Sequence, residues 1–154
     1  MNNSNYLDSI EASLSAVIRI AKRPGYWEEL QKKSNLSIDR PAAAILIILS
    51  QKPSNFQTLV SRLGVEPPSV SRKVHELESK GLIKRRPTED KRVHELDLSS
   101  EGLTIANKLL AAKRSMYKEV LKSWGDKDIE DLSRMLDKLV NNMQERFENK
   151  GVKS

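Results

Sequence analysis

Apolar residues recur every three or four positions through most of this chain, a spacing that predicts a mainly helical protein. The first apolar stripe consists of Leu7, Ile10, Leu14, Val17 and Ala21. Its outer side is polar, which predicts an amphipathic helix over about residues 5–23. The Pro24-Gly25 pair follows directly. Because neither residue continues a helix well, we expect the first helix to end there.

A second apolar segment, residues 37–50, is apolar on most sides of the helix that it predicts. A helix without a broad polar face is expected to be buried. Pro41 falls within its first turn, where proline is tolerated, and Lys52-Pro53 closes the segment. The stretch from Pro24 to Asn35 is interpreted as a link with room for a short helical turn.

Two shorter helices follow in close succession. The first presents one apolar face, made of Phe56, Leu59, Val60 and Leu63. It ends at Gly64, because glycine reaches positive φ at little cost. The second starts at the Pro67-Pro68 pair, since proline suits the first turn of a helix, and ends at Gly81. Its apolar face is made of Val70, Val74 and Leu77.

Two strand-like runs come next, at residues 82–86 and 93–98. The second run alternates His94, Leu96 and Leu98 with Val93, Glu95 and Asp97. Such alternation is expected of a strand with two different faces, and residues 87–92 between the runs predict a turn. Positive charge is concentrated in this hairpin, at Lys84, Arg85, Arg86, Lys91 and Arg92.

The remainder of the chain predicts two more helices. Ser99 suits the N-cap of a long helix, which contains Leu103, Ala106, Leu110, Tyr117, Val120 and Leu121. Gly125 is expected to break this helix, and Asp126 is expected to cap the next one. The apolar stripe of the last helix, spaced like a two-helix seam, consists of Ile129, Leu132, Leu136, Leu139, Met143 and Phe147.

The second short helix has an outward face suited to DNA. Because successive residues are about 100° apart, the side opposite Val70 and Val74 carries Arg72 and His75. Pro68, Glu76 and Ser79 share that side, and Ser69 and Ser71 lie on its flanks. Small hydroxyls and a cation can approach phosphates and base edges, where a helix N-terminus also offers free amides. The alternative is a solvated surface helix, but the basic hairpin beside it favours the DNA-binding interpretation.

Length and composition restrict the class of protein to which this chain can belong. The chain has 154 residues, no cysteine and a net charge of +6. It is long enough for one domain whose core needs no disulfide or metal, and the lack of cysteine excludes a thiol-based sensor. The basic balance favours an anionic partner. No apolar run reaches the roughly 20 residues of a membrane span and no secretion signal is evident, which predicts a cytoplasmic protein.

These motifs resemble, in the same order, those of the bacterial multiple-antibiotic-resistance regulators (MarR), a family of winged-helix transcription factors. Residues 59–85 match the family's two DNA-reading helices and first wing strand. Residues 88–102 match its wing tip, with an Asp-x-Arg signature and a following Leu-Ser/Thr-x-x-Gly helix start. The likeness is strongest over about residues 58–102, and the helices on either side match by pattern only.

The resemblance implies a mainly α fold with a small β-hairpin wing (α+β) in a single domain, residues 1–154. A winged helix-turn-helix core over about residues 37–99 is flanked by dimerisation helices over about 5–23 and 100–148. In the family, the terminal helices of two copies intertwine. The expected interface residues are Leu7, Ile10, Leu14, Leu132, Leu136, Leu139, Met143 and Phe147.

The resemblance also assigns roles within the DNA-binding region. The major groove is expected to receive Ser69, Ser71, Arg72 and His75, and the minor groove Arg92 with Lys91 beside it. Asp90 is expected to brace the wing. A second group could hold phosphates or flank the recognition helix: Arg62, Pro68, Lys73 and Arg86. Pro68, Ser69 and His75 depart from the residues usual in the family, which leaves the base preference open.

The function that follows is a homodimeric regulator, a repressor rather than an activator, that binds a pseudo-palindromic operator and is released by a small-molecule effector. The alternative is a winged helix that binds protein without selecting a DNA sequence. An enzyme is not expected, because no nucleophile, phosphate loop or paired carboxylates are recognisable. With only His75 and His94 and no cysteine, neither a metal nor another cofactor is expected.

Family members often bind a small aromatic or phenolic effector between the dimerisation helices and the DNA-binding region. Tyr26, Trp27 and Tyr117 could line such a cleft, but aromatic side chains more often simply pack. The ligand pocket is therefore left unassigned. The sequence also leaves open the operator, the regulated genes and the identity of any effector.

Overall fold

The computed structural model describes residues 3–88 and 94–147. Within these ranges the fold is mainly helical with one small sheet, as predicted. The elements in chain order are α1 (Asn3–Lys22), α2 (Pro24–Ser34), α3 (Arg40–Gln51), β1 (Ser54–Asn55), α4 (Phe56–Leu63), α5 (Pro67–Ser79), β2 (Ile83–Pro87), β3 (His94–Leu98), α6 (Ser100–Val120) and α7 (Asp126–Phe147).

The chain divides into two compact units, residues 1–115 and 116–154, with the boundary inside α6. The first unit holds the elements from α1 to β3 and most of α6. The second holds the end of α6 and all of α7. Among the described residues, none of the helices combines the length and the apolar character that crossing a bilayer requires.

The core of the first unit is built around α3. This helix packs against α4, α5 and β3, as expected for its apolar surface. It begins at Arg40 rather than residue 37, because Asp39 caps it and accepts a hydrogen bond from the Ala42 backbone N–H at 2.8 Å. The buried cluster consists of Ala42, Ile45, Leu46, Leu49, Leu59, Val70, Val74, Leu77, Leu82, Ile83, Leu96, Leu98 and Ala106.

The predicted helix-turn-helix is confirmed in α4 and α5. Asn55 caps α4 by accepting a hydrogen bond from the Thr58 backbone N–H at 2.8 Å. The helix ends at Gly64, whose φ of 61° is the left-handed conformation that glycine adopts readily. After a three-residue turn, residues 64–66, α5 begins at Pro67, and its inner face is buried in the core.

The sheet has one strand more than the sequence predicted. β3 lies in the middle, with β2 and the two-residue β1 antiparallel on either side. A strand as short as β1 shows no alternation of apolar and polar residues, so it could not be predicted from the pattern. β2 runs over residues 83–87 rather than 82–86, and β3 is described from His94, one residue after the predicted start.

The prediction of a link between the first two long helices was wrong, because α2 is a regular helix. It starts with Pro24 in its first turn and ends at Asn35, which adopts the left-handed conformation (φ 52°). Pro24 therefore ends one helix and begins the next, a double role that proline's fixed φ allows. Leu30 on α2 is completely buried.

The start of α6 is tied to the start of the wing. The Ser99 hydroxyl accepts a hydrogen bond from the Gly102 backbone N–H at 3.0 Å, which confirms the predicted cap. The backbone N–H and the hydroxyl of Ser99 both donate to the Leu82 carbonyl, at 3.0 and 3.1 Å. A Cβ at position 102 would lie 2.0 Å from that carbonyl oxygen, so only glycine fits there.

The end of α6 and the start of α7 differ slightly from the prediction. α6 ends at Val120, before Leu121 and several residues before Gly125. Asp126 is the first residue of α7 rather than its cap, and the Gly125 carbonyl accepts hydrogen bonds from the backbone N–H groups of Asp128 and Ile129. At that position the Asp126 carboxylate still favours the helix, because it lies near the positive end of the helix dipole.

Candidate nucleic-acid interface

The exposed face of α5 carries the side chains that the sequence predicted to meet DNA. Val70, Val74 and Leu77 are buried in the core, so the opposite side of the helix is turned to solvent. Exposed residues on and beside this face are Pro68, Ser69, Ser71, Arg72 and His75. The burial pattern of α5 therefore agrees with the orientation predicted for a recognition helix.

Arg72 is the cation on this face. Within the residues that the structure describes, its guanidinium group has no hydrogen bond and no ion pair. His75 lies three residues after Arg72 on α5. Its side chain is 88% exposed, and its Nδ1 atom lies 3.9 Å from a carboxylate oxygen of Glu78. Both side chains can therefore reach a partner outside the chain.

The N-terminus of α5 lacks the free amides that the sequence analysis expected. Pro67 and Pro68 carry no N–H group, and the backbone N–H groups of Ser69 and Val70 both donate to the Glu66 carbonyl, at 3.0 and 3.4 Å. The expectation overlooked the consequence of two consecutive prolines at a helix start. Side chains, rather than backbone amides, are what this end of α5 offers a phosphate.

Lys73, a predicted candidate for phosphate binding, is occupied within the chain. Its side chain is 19% exposed, and its ammonium group donates hydrogen bonds to Asp39 at 2.6 Å and to Glu76 at 2.5 Å. These hydrogen bonds raise the pKa of the Lys73 ammonium, and the one to Asp39 has the larger effect. Glu76 also accepts a hydrogen bond from Lys80 at 2.6 Å. The two lysines lower the pKa of Glu76 to about 2, and Lys73 has the larger effect.

Arg62 and Arg86 are the other predicted phosphate contacts. Each has a single partner among the described residues, whereas Lys73 has two carboxylate partners. Arg62 on α4 donates a hydrogen bond to the exposed side chain of Gln51. Arg86 on β2 is paired with Asp97 on β3 at 3.3 Å, and the Arg86 side chain is about half exposed. The Arg86–Asp97 ion pair is partly exposed and contributes little free energy, and the partner of Arg62 carries no charge, so neither contact competes strongly with a phosphate.

One contact that the sequence did not predict joins the wing to α5. Arg85 on β2 donates two hydrogen bonds to the Glu78 carboxylate on α5, at 2.6 and 3.1 Å. This pairing raises the pKa of Arg85. The two residues lie seven positions apart in different elements, so no helical or strand periodicity brings them together in the sequence.

The predicted wing-tip residues Asp90, Lys91 and Arg92 lie outside the described residues. The base of the wing is described, and there β2 presents Lys84, Arg85 and Arg86 on exposed positions. A basic strand therefore runs next to the C-terminal half of α5.

The apolar stripes of the terminal helices are largely uncovered. On α1, Leu7 and Ile10 are exposed, and Leu14 is half-buried. On α7 no residue is buried: the Phe147 side chain is 66% exposed, and exposed apolar residues along the helix include Met135, Leu136, Val140 and Met143. Leu132 and Leu139 are half-buried. Uncovered apolar faces of this size usually mark an interaction surface.

The aromatic residues considered for an effector site have different surroundings. The Trp27 ring on α2 stacks against the guanidinium group of Arg40, at 5.4 Å from the ring centre. Tyr26 is half-buried on the same helix, whereas Tyr117 belongs to the second unit and is exposed. Trp27 is thus a packing residue in this structure.

No metal centre is recognisable in the described part of the chain. Residues 3–88 and 94–147 contain no group of three or more histidine, aspartate or glutamate side chains arranged to hold a metal ion. His75 belongs to α5 and His94 starts β3.

This chain matches the model of one protein family and is similar to several solved structures. The model of the family described as "MarR family" matches residues 38–94, from just before α3 to the start of β3. A MarR family protein from Bacillus stearothermophilus is 22% identical, with a TM-score of 0.76, over 94% of this chain and 99% of that one.

Two further solved structures are also similar. The transcriptional regulator BldR from Sulfolobus solfataricus is 22% identical with a TM-score of 0.72, over 92% of this chain and 99% of its own. A MarR transcriptional regulator from Methanosarcina mazei Go1 is 17% identical with a TM-score of 0.72, over 91% of this chain and 99% of its own. These likenesses cover both the winged helix-turn-helix and the terminal helices, and they establish the fold. Residues 38–94 are thus a MarR-family domain, within a chain that has the fold of the MarR transcriptional regulators.

Proposed function

We propose that this chain is a homodimeric transcriptional repressor that binds a pseudo-palindromic operator. The observation that carries the proposal is the guanidinium group of Arg72, which is exposed on the outward face of α5 and has no partner among the described residues. An arginine on a helix that enters the major groove can donate two hydrogen bonds to a guanine edge. The MarR-family match over residues 38–94 supports the same proposal.

The proposed contacts follow from what each side chain can reach. Ser69, Ser71, Arg72 and His75 lie on or beside the exposed face of α5 and would meet base edges. Lys91 and Arg92 would lie at the minor groove, and Asp90 would brace the wing. Arg62 and Arg86 would hold phosphates on either side. A module that only binds protein needs no exposed arginine beside a basic strand, which disfavours the alternative.

Dimerisation is proposed from the uncovered apolar residues of the terminal helices. Leu7 and Ile10 on α1, and Leu136, Met143 and Phe147 on α7, would be covered by a second copy. Leu14, Leu132 and Leu139 complete the proposed interface. A dimer would present two α5 helices to half-sites about 34 Å apart, one turn of DNA. We propose that residues 1–154 act together as one domain in this assembly.

Repression requires only that a bound dimer block the promoter. Release would follow if a small effector, such as an aromatic or phenolic compound, bound more tightly to a dimer whose two α5 helices are wrongly spaced, because only a difference in affinity shifts the population. Such a regulator shares a compartment with the DNA, which for this proposal is the cytoplasm. The chemistry proposed is binding, with no catalytic step.

The test is selection of bound sequences from random duplex DNA, followed by titration at near-physiological salt. We expect an inverted repeat, bound by two chains per duplex and preferred over random DNA by at least about 10³-fold. Equal affinity for selected and random duplexes would contradict the proposed function.

The wing is tested by replacing Arg92 with alanine. Because an arginine in the minor groove should contribute to binding, we expect this variant to lose about 1 to 3 kcal/mol of operator affinity. Unchanged affinity would remove the wing from the mechanism.

A further inference from the structure

Lys73 and Arg72 are adjacent cations on α5, but among the described residues Lys73 has two carboxylate partners and Arg72 has none. The Lys73 ammonium lies on the flank of α5 that faces the start of α3, where it contacts the carboxylate of Asp39 at 2.6 Å. Asp39 and Lys73 are 34 residues apart in the sequence. This is therefore a tertiary contact between two helices of the winged region, rather than a local pair within one helix.

Asp39 serves two helices with one carboxylate. Its Oδ1 atom caps α3 through the backbone N–H of Ala42, and its Oδ2 atom accepts the hydrogen bond from Lys73. The cap holds the carboxylate in place, because its oxygen is fixed by the geometry of the first turn of α3. Lys73 is thus attached to a fixed point on α3.

Arg40, the residue after Asp39, attaches the start of α3 to the N-terminal helices. Arg40 donates hydrogen bonds to the carbonyls of Ala21 and Arg23, at 3.3 and 2.7 Å, and stacks on the Trp27 ring. These carbonyls lie at the end of α1 and at the start of α2. The beginning of α3 is therefore held to the N-terminal helices as well as to α5.

The charges around Lys73 are balanced within the chain. Glu76 accepts hydrogen bonds from Lys73 and from Lys80, so the two carboxylates of Asp39 and Glu76 face two ammonium groups. A phosphate would have to compete with both carboxylates for Lys73, and binding it would leave Asp39 without its cation. This arrangement argues against the phosphate contact that the sequence analysis considered.

We propose that Asp39 and Lys73 are positioning residues, whose contact sets the angle of α5 against α3 and so aligns Arg72 with the DNA bases. The proposal rests on the proposed function, because it concerns how the same DNA-binding face is oriented. A partly exposed ion pair contributes little to folding stability, but base-edge hydrogen bonds tolerate only small displacements. The effect should therefore be seen in operator binding more than in stability.

Two substitutions remove the contact between Asp39 and Lys73 but keep the helix cap at position 39 and the aliphatic side chain at position 73. Asp39→Ser keeps a good helix cap but is too short to reach Lys73. Lys73→Met keeps the aliphatic length and removes the charge. Asp131→Asn is the matched control, since it removes an exposed ion pair with Arg134 at 2.9 Å on α7. Thermal unfolding and light scattering of each variant would show that fold and assembly are retained.

We expect Asp39→Ser and Lys73→Met each to weaken operator binding by about threefold to tenfold, an effect typical of a coupled pair. The double variant should bind no more weakly than the weaker single variant, because both changes remove the same contact. The slope of log K against log salt should stay at the wild-type value in all three, and Asp131→Asn should bind like the wild type.

A phosphate-binding Lys73 predicts a different result. Lys73→Met would then reduce the salt slope by about 0.9, while Asp39→Ser would bind like the wild type. That outcome, or additive losses in the double variant, would overturn the proposal.

The ion pair between Lys73 and Glu76, which belongs to the same network as the Asp39–Lys73 contact, can also be measured without DNA. This measurement separates the structural part of the inference from the proposed function. Carboxyl titration by NMR should place the pKa of Glu76 at about 2 in the wild-type protein. In Lys73→Met it should move towards the ordinary value, because the larger of the two stabilising hydrogen bonds is lost. An unchanged Glu76 titration would show that the network does not form. A wild-type protein that titrates as expected but does not select DNA would instead count against the proposed function alone.

Discussion

Two adjacent cations on α5 differ in ways that the sequence does not show. Arg72 and Lys73 both lie in the middle of the helix, and they carry the same charge. Burial of Val70 and Val74 turns Arg72 outwards, whereas Lys73 lies against the Asp39 carboxylate. The exposed set Ser69, Ser71, Arg72 and His75 was predictable from helical periodicity. The partners of Lys73 were not, because Asp39 belongs to another helix.

Arg72 should contribute to operator binding and little to the fold. Because its side chain is exposed and unpaired among the described residues, Arg72→Ala should leave the unfolding temperature unchanged while operator affinity falls by about 1 to 3 kcal/mol. Fluorescence anisotropy with the selected duplex measures the affinity. Arg134→Ala, which removes an exposed cation from α7, is the control. Equal losses in the two variants would mean that only net charge matters.

Glu76 should make the fold sensitive to acid. Its pKa is lowered to about 2 in the folded chain, from an ordinary value of 4.5. The contribution of its two hydrogen bonds to stability is therefore complete above pH 4.5, and it is lost as the pH falls towards 2. The free energy of unfolding, measured by urea titration across this interval, should fall less steeply in Glu76→Gln than in the wild-type protein. Parallel curves for the two proteins would contradict this.

At the scale of elements, the sequence predicted what a regular pattern encodes. α4, α5 and the two wing strands were predictable because glycine, proline and apolar periodicity agree there. α2 was missed, since the Pro24-Gly25 pair that ends α1 also opens the next helix, and α2 has no side-chain cap. β1 was missed because two residues cannot show alternation, and the Arg85–Glu78 contact because it joins different elements.

The buried side of α2 gives a test that this segment is structured. Leu30 has no exposed surface, so Leu30→Ala should remove apolar contacts and leave a cavity. We expect a loss of about 2 to 5 kcal/mol in the free energy of unfolding, measured by denaturant titration. Glu28→Ala, an exposed change on the same helix, should stay within about 0.5 kcal/mol of the wild type. A Leu30 variant as stable as the Glu28 variant would argue for a flexible link.

At the scale of the whole molecule, two uncovered apolar faces stand out. The described part of α7 has no buried residue, and α1 exposes Leu7, Ile10 and Val17. Periodicity predicted both stripes, but it could not tell packing within one chain from packing between two. The exposure of these residues favours the second interpretation and leads to the dimer proposed above.

A charge placed in the apolar face of α7 should prevent assembly. Met143→Glu would bury an unpaired carboxylate at the proposed interface, which is costly, so we expect a monomer in sedimentation velocity. Operator affinity should fall by at least about tenfold, because one α5 helix binds more weakly than two. Asn141→Glu adds the same charge on the opposite side of α7 and should remain dimeric. A dimeric Met143→Glu protein would exclude this face from the interface.

The junction between the wing and α6 restricts how this gene can diverge. Every missense change at codon 102 introduces a Cβ into space that the Leu82 carbonyl oxygen already occupies. The obstacle is main chain held by two hydrogen bonds from Ser99, so no change of side-chain rotamer relieves it. Descendants of this gene can therefore lose the glycine only together with a rearranged backbone at residues 82 and 99. In an otherwise drifting lineage, this position should be among the slowest to change.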